Sequence, residues 1–244
     1  MRRHAVRALL LSGLLCVPLS GAFREASAQR AVYETSRASA DGIGKRYMGR
    51  EIAAVMGWQG ASWLERQERE REERTDLLIK DLSLTAGMTV ADVGAGTGYL
   101  SRRIAQQVGG RGTVFAVDVQ PEMIRLLESL IRTSSISSIK PVLGQADQVN
   151  LANASIDLAI MVDVYHELEF PFEMLTSIIA SLKPGGQLVL VEYRAEDRRV
   201  PIKEVHKMSE AQVRKELAVH SELSWERTGN SLPWQHVIVF RKRF

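Results

Sequence analysis

The chain has 244 residues, 45% of them hydrophobic and 25% charged, which is enough for one substantial core plus an N-terminal extension. Its single cysteine, Cys16, excludes an internal disulfide framework and any multi-thiolate metal site. The formal net charge of +3 argues for a nucleic-acid partner only if the excess lies in the folded part of the chain, and it does not.

Residues 1–28 have the form of a secretory signal. Arg2, Arg3 and Arg7 precede the apolar run ALLLSGLLCVPL (8–19), which is too short for a membrane span, and Ala26-Ser27-Ala28 offers a small-residue cleavage site before Gln29. The segment holds four of the 32 basic residues and one of the 29 acids, so its removal leaves 28 of each and no net charge. A basic nucleic-acid-binding face then loses its support. Cys16 leaves with the signal, so the mature chain has no thiol nucleophile. The reading implies a periplasmic or secreted protein with no stable membrane span after cleavage. A retained signal anchor, a transit peptide, or a cytoplasmic protein with a misassigned start are its alternatives.

Residues 29–50 are aperiodic and read as a linker. A charged helix is expected over 61–82, where ERQEREREERTD interrupts a broken stripe of Leu64, Leu77, Leu78 and Leu82; most of its charges read as a solvated face held by Glu–Arg pairs one turn apart. From Gly87 short apolar runs alternate with amphipathic stretches. The expected strands are 89–93, 113–118, 140–143, 158–162, 188–192, 223–227 and 236–241, and the expected helices are 100–108, 121–132, 171–182 and 209–220. Pro121 sits at a first helical turn, where a missing N–H costs nothing, and Lys183-Pro184-Gly185-Gly186 stops the helix before it. Strand–helix alternation with almost wholly apolar strands predicts a doubly wound α/β fold, a mostly parallel sheet covered on both faces, closed by a terminal hairpin.

The strongest local signal is VADVGAGTGYL, residues 90–100, which leaves a strand and enters a helix. Glycines there permit a tight turn and a close approach of backbone to ligand. A dinucleotide fingerprint G-x-G-x-x-G would need its third glycine at 99, where Tyr99 stands; here the glycines are Gly94, Gly96 and Gly98, and Asp92 precedes them inside the strand. A carboxylate so close suits a cationic ligand better than a pyrophosphate. Asp118 ends the next strand, placed to accept from a ribose diol or, alternatively, to cap the helix that follows.

These residues together resemble the class I S-adenosylmethionine-dependent methyltransferases over roughly 87–244. The acid and glycines of the family's first motif match Asp92, Gly94, Ala95, Gly96 and Gly98. Its second acid matches Asp118, followed by Val119 where the family packs an apolar side chain on adenine. The stretch Gly144-Gln145-Ala146-Asp147-Gln148 resembles the third element, which by resemblance gives Asp147 and Gln148 to the adenine, and LKPGGQL is typical of the entry to strand five. The resemblance implies S-adenosyl-L-methionine as cofactor and a seven-stranded sheet with its last strand antiparallel. GREIAAVMG (49–57), GASWLER (60–66) and DVYHEL (163–168) resemble a narrower group of small bacterial methyltransferases, in which the segment before the first strand, here 49–75, forms a helical lid.

In that topology the residues after strand four lie near the reactive methyl. Asp163 reads as a strand-end residue beside the cofactor. Tyr165 and His166 are the candidates for handling the acceptor, His166 because its unperturbed pKa of about 6.5 lies nearest neutrality. Glu167 reads instead as a helix-start charge, while Tyr193, His206 and Lys207 are further candidates for the acceptor pocket. No metal site is expected, because His, Asp and Glu show no ligand spacing. The Asn/Asp-Pro-Pro-Tyr/Phe signature of base-modifying amino methyltransferases is missing after strand four, which points to a small-molecule acceptor, with a protein side chain as the alternative. The rival reading is a non-catalytic cofactor-binding module in the cell envelope.

Overall fold

The computed structural model describes residues 33–134 and 136–244, so the signal segment at 1–28 lies outside the described residues. Where a linker is expected, the chain forms a small antiparallel sheet of β1 (Tyr33–Thr35), β2 (Gly42–Tyr47) and β3 (Arg50–Ala53) in the order β1-β2-β3. The strands are three to six residues long, too short to display a period. What holds them is remote: Tyr47, Ile52 and Ala53 are fully buried, Tyr33 Oη donates to Glu173, and Arg50 pairs with Glu216.

The expected single helix over 61–82 is three pieces, α1 (Ala61–Leu64), α2 (Arg69–Glu73) and α3 (Thr75–Asp81), with left-handed Arg74 (φ 51°) between the last two. Part of its charge is solvated as expected, with Glu65, Glu68, Arg71, Asp76 and Lys80 exposed and Arg69 paired with Glu73 one turn on, but part is not. Glu73 is buried and accepts from both Arg66 (2.8 Å) and Arg69 (2.8 Å), while Glu65 and Glu70 reach Arg102 and Arg103 of the next helix. The turn at Arg74 serves these tertiary pairs, which outweigh the local preference for one continuous helix.

The main sheet follows the predicted strands closely. It comprises β4 (Thr89–Val93), β5 (Thr113–Asp118), β6 (Ile139–Leu143), β7 (Ile156–Val162), β8 (Leu182–Arg194), the two-residue β9 (Lys207–Met208), β10 (Leu223–Gly229) and β11 (Gln235–Lys242). Seven strands run in the order β10-β11-β8-β7-β4-β5-β6, and β9 pairs with the end of β8. Strands β4 to β8 are mutually parallel where paired, whereas β11 runs antiparallel to β8 and to β10. The intervening helices are α4 (Tyr99–Val108), α5 (Pro121–Ser134), α6 (Pro171–Ser181) and α7 (Glu210–Leu217). Ser209, expected as the first residue of the last helix, is its N-cap, accepting from the Gln212 N–H at 3.1 Å.

Alternation along each strand feeds two cores. Val90, Leu158, Ile160 and Val189 pack with Leu100, Ile104 and Leu127 on one face of the sheet; Ala91, Val93, Met161 and Leu190 pack with Leu175, Ile178, Val213 and Leu217 on the other. Each such aliphatic side chain contributes roughly 1.5–3 kcal/mol on full burial. Coverage of both faces is why the strands read as continuous apolar runs. Among the described residues no helix is long and apolar enough to cross a membrane.

Candidate functional site

Strand order reverses between β4 and β7, and a cavity of about 770 Å³ opens there, beyond the carboxyl ends of the strands. The glycine turn forms one side. Gly94 and Gly96 adopt φ 76° and 54°, and a Cβ would meet Val164 at 2.4 Å from the first and Leu64 at 2.7 Å from the second. At Gly94 the positive φ and the Val164 side chain together require glycine, whereas at Gly96 the φ favours it and the Leu64 tip would have to shift. Gly94, Ala95 and Gly96 line the cavity. Gly98 stands back from it as the residue preceding α4, packed towards Leu127.

Three of the six acids that line the same cavity come from β4, from β5 and from just after β7. Asp92 is buried, accepts from Ser101 Oγ at 2.6 Å, and is pushed by burial up to about 6. Asp118 accepts the Gly96 N–H on one oxygen and the Gln120 N–H on the other, both at 2.9 Å; burial raises its pKa too. Asp163 ends β7 in the left-handed region (φ 55°), its carboxyl raised well above the usual range by burial and then by the nearby Glu73 and Glu192. Its Oδ2 accepts from Gln235, while its buried Oδ1 has no hydrogen-bond partner among the described residues. Three carboxyls desolvated around one cavity favour a ligand that brings positive charge and hydrogen-bond donors.

Val119 lines the cavity and is 42% exposed, an apolar surface available to a ligand. The expectation for Asp147 and Gln148 is not met: both are exposed and lie off the cavity wall. The Gln145 N–H donates to Gln148 O at 2.8 Å and closes a turn, so it is Gln145 that lines the cavity.

The stretch after β7 divides between two environments. Tyr165 does not face the cavity. It is fully buried in the core beneath β8, its hydroxyl donates to Glu216 at 2.8 Å, and its N–H donates to Glu192 at 2.9 Å. Its place as a substrate-handling residue is therefore corrected to a structural one. Tyr165→Phe should lower stability by about 1–3 kcal/mol through the buried Glu216 oxygen it leaves unpaired. The same variant should leave cofactor affinity unchanged, as thermal melting alongside calorimetry would show.

His166 does line the cavity, although only 2% exposed. Its Nδ1 lies 2.6 Å from Glu192 Oε2; a carboxylate only accepts, so Nδ1 carries the proton. Its Nε2 faces His206 Nδ1 at 3.1 Å. Glu167, expected as a helix-start charge, instead lines the cavity beside the two imidazoles, and burial pushes its carboxyl up to about 7. Tyr193 and His206 line the cavity as expected, whereas Lys207 is turned into a pair with Glu204 at 2.8 Å.

The opposite wall comes from the N-terminal segments through Ala54, Val55, Met56, Trp63, Leu64 and Arg69. Gln120 ties it to the Asp118 side, accepting from the Trp58 N–H at 2.7 Å and donating to Met56 O at 3.0 Å. Gln120, Glu73 and Glu192 are absent from the sequence reading of the site. Glu192 alone carries a sequence signal, an acid inside the apolar run LVLVEY.

Comparison with known proteins agrees with this architecture. The family described as a methyltransferase domain matches residues 84–234, more than half of the chain. An uncharacterised methyltransferase of Mycobacterium tuberculosis is 31% identical over 132 residues, 54% of this chain and 50% of that protein. A ubiquinone/menaquinone biosynthesis C-methyltransferase of Idiomarina loihiensis is 25% identical over 108 residues, 44% of this chain and 43% of that protein. The chain thus spans about half the length of the curated relatives it matches. Among solved structures, a SAM-dependent methyltransferase from Aquifex aeolicus aligns with a TM-score of 0.72 over 77% of this chain and 100% of that chain; at 22% identity the likeness is one of fold.

Proposed function

The chain belongs to the methyltransferase-domain family, and on that premise we propose that it is an S-adenosylmethionine-dependent methyltransferase acting on a small molecule. The observation that carries the reading is the Asp118 carboxylate, fixed by the Gly96 and Gln120 N–H groups beside a positive-φ turn that favours glycine. The residues present fit the cofactor: the unpaired Asp163 oxygen and the buried Asp92 supply acceptors for a cationic amino acid moiety, Asp118 for a ribose diol, and Val119 an apolar face for adenine.

When bound, the cofactor supplies a methyl on a sulfonium that is already an excellent leaving group. The chain's part is then to align an acceptor and exclude water, and orientation of this kind contributes up to about 7–11 kcal/mol. Asp118 and the glycine turn hold the nucleoside end. The wall of Met56, Trp63 and Leu64 shields the cavity from solvent, and His166, Glu167 and His206 face the acceptor end. Small-molecule specificity is supported by the size of the cavity, about 770 Å³ lined jointly by the N-terminal segments, the glycine turn and the 201–206 loop, which suits a cofactor beside a small acceptor. Calorimetry should give one binding site for S-adenosylmethionine and for S-adenosylhomocysteine, and labelled methyl should pass to a low-mass fraction of a cell extract. Label found only in macromolecules would overturn the small-molecule part, and no cofactor binding would overturn the whole.

A further inference from the structure

Three side chains at the acceptor end have the geometry of a metal-binding triad, although no sequence spacing marks them. His166 and Glu167 lie on the 3-10 turn after β7 (Tyr165–Glu167), and His206 lies on the 3-10 turn Glu204–His206 before β9. Pairing of β9 with the end of β8, Tyr193 against Lys207, brings the two turns together. His166 Nε2 and His206 Nδ1 are 3.1 Å apart, and Glu167 Oε1 is 3.8 Å from the first and 3.6 Å from the second. The corners of such a triangle lie about 2.0 Å from a common centre, so a cation slightly above its plane meets all three at about 2.1–2.2 Å, close to Zn–N and Zn–O distances.

The surroundings support the same reading. Glu192 is fully buried, and by accepting the His166 Nδ1 proton it leaves Nε2 a lone pair directed at the cluster, the carboxylate–histidine arrangement that orients metal ligands. The Glu167 oxygen is too far from either imidazole for a hydrogen bond, while His206 Nδ1–H donates to His166 Nε2 at 3.1 Å, a proton that a bound cation would displace. Among the described residues, the nearby cations that would neutralise them are engaged elsewhere. Arg50 binds Glu216 and the backbone oxygens of Tyr165 and His166, and Lys203 pairs with Asp41 at 2.7 Å.

We propose that His166, Glu167 and His206 bind one divalent first-row metal ion of the zinc or iron type, a donor set these metals favour. Its remaining coordination positions open on the cavity that all three residues line. A hydroxyl oxygen of the methyl acceptor takes one of those positions, which holds the nucleophile in place, lowers its pKa and leaves it a lone pair for the methyl. That last assignment rests on the methyl-transfer reading; the metal site does not.

The test uses the full chain stripped by a chelator and titrated with Zn²⁺ and with Co²⁺, whose absorption reports coordination. One equivalent should bind with micromolar or tighter affinity. His206→Ala and Glu167→Gln, both at partly exposed positions, should each weaken binding at least tenfold, and S-adenosylhomocysteine affinity should be unchanged in both. Stoichiometric metal binding that neither variant weakens overturns the proposal, as does the lack of one tight equivalent in the parent chain. Tight metal without S-adenosylhomocysteine binding leaves the metal site standing and removes the methyl-transfer reading instead.

Discussion

Replacing Asp118 with alanine abolishes measurable cofactor binding while the protein stays folded. The carboxylate sits at the end of β5, where Gly96 and Gln120 N–H groups fix both oxygens, each with a lone pair left for a ribose hydroxyl. Hydrogen bonds to a charged group contribute about 1.5–3 kcal/mol each. Losing two of them weakens binding by roughly 3–6 kcal/mol, a hundredfold or more at about 1.4 kcal/mol per decade. The fold tolerates the change because burial already disfavours the charged carboxyl, so its removal offsets part of what the lost turn contacts contributed. Asp118→Asn, which keeps one acceptor oxygen, should fall between the two. Calorimetry with S-adenosylhomocysteine decides the matter: affinity of the alanine variant within threefold of the parent would take Asp118 out of the cofactor site.

Glu216→Ala has the largest expected effect on stability. Glu216 is fully buried and accepts from Arg50 Nε at 2.7 Å, Tyr165 Oη at 2.8 Å and Gln212 Nε2 at 2.7 Å. Arg50 belongs to the small N-terminal sheet and also donates to the backbone oxygens of Tyr165 and His166. This one carboxylate therefore joins β3, the turn after β7 and α7. Its removal strands a largely buried guanidinium, a change that costs about 3–5 kcal/mol. For a chain of this size that corresponds to a fall in Tm on the order of 10 °C. Adding Arg50→Met to Glu216→Ala should recover part of the loss, because the unpaired charge leaves with it. Melting of the single variant within about 2 °C of the parent would show that the N-terminal sheet is anchored some other way.

The effect reaches the site through geometry. The chain that leaves β3 supplies Ala54, Val55 and Met56 to the cavity wall, and the Arg50 guanidinium holds the backbone of the turn that carries His166 and Glu167. A loosened β3 should therefore disturb the acceptor end before the nucleoside end, which rests on β4 and β5.

What was legible in the sequence follows from how each feature is encoded. Strands 89–93 and 113–118 were read to the residue because both faces of the sheet are covered, and a doubly buried strand has to be apolar throughout. The glycine turn is legible because positive-φ backbone packed closely against Val164 and Leu64 strongly favours glycine. Asp92 and Asp118 stood out as acids at the ends of apolar runs. The N-terminal sheet escaped because its short strands are held by Glu173 and Glu216, more than a hundred residues away. The helix over 61–82 was drawn too long because local pairing of its charges cannot foretell that Arg66 and Arg69 converge on a buried Glu73.

The sequence by itself determined the strand–helix alternation, the glycine turn, the acid inside β4 and the acid that ends β5, since each is a local demand on residue type set by period, backbone angle or desolvation. Only the tertiary structure decided which way the side chains after β7 turn. It sends Tyr165 to Glu216 in the core, leaves Asp147 in solvent, and brings His206 across forty positions to His166 and Glu167. Those outcomes depend on which strands become neighbours, and the pairing of β9 with β8 that sets them is a long-range contact that no local spacing records.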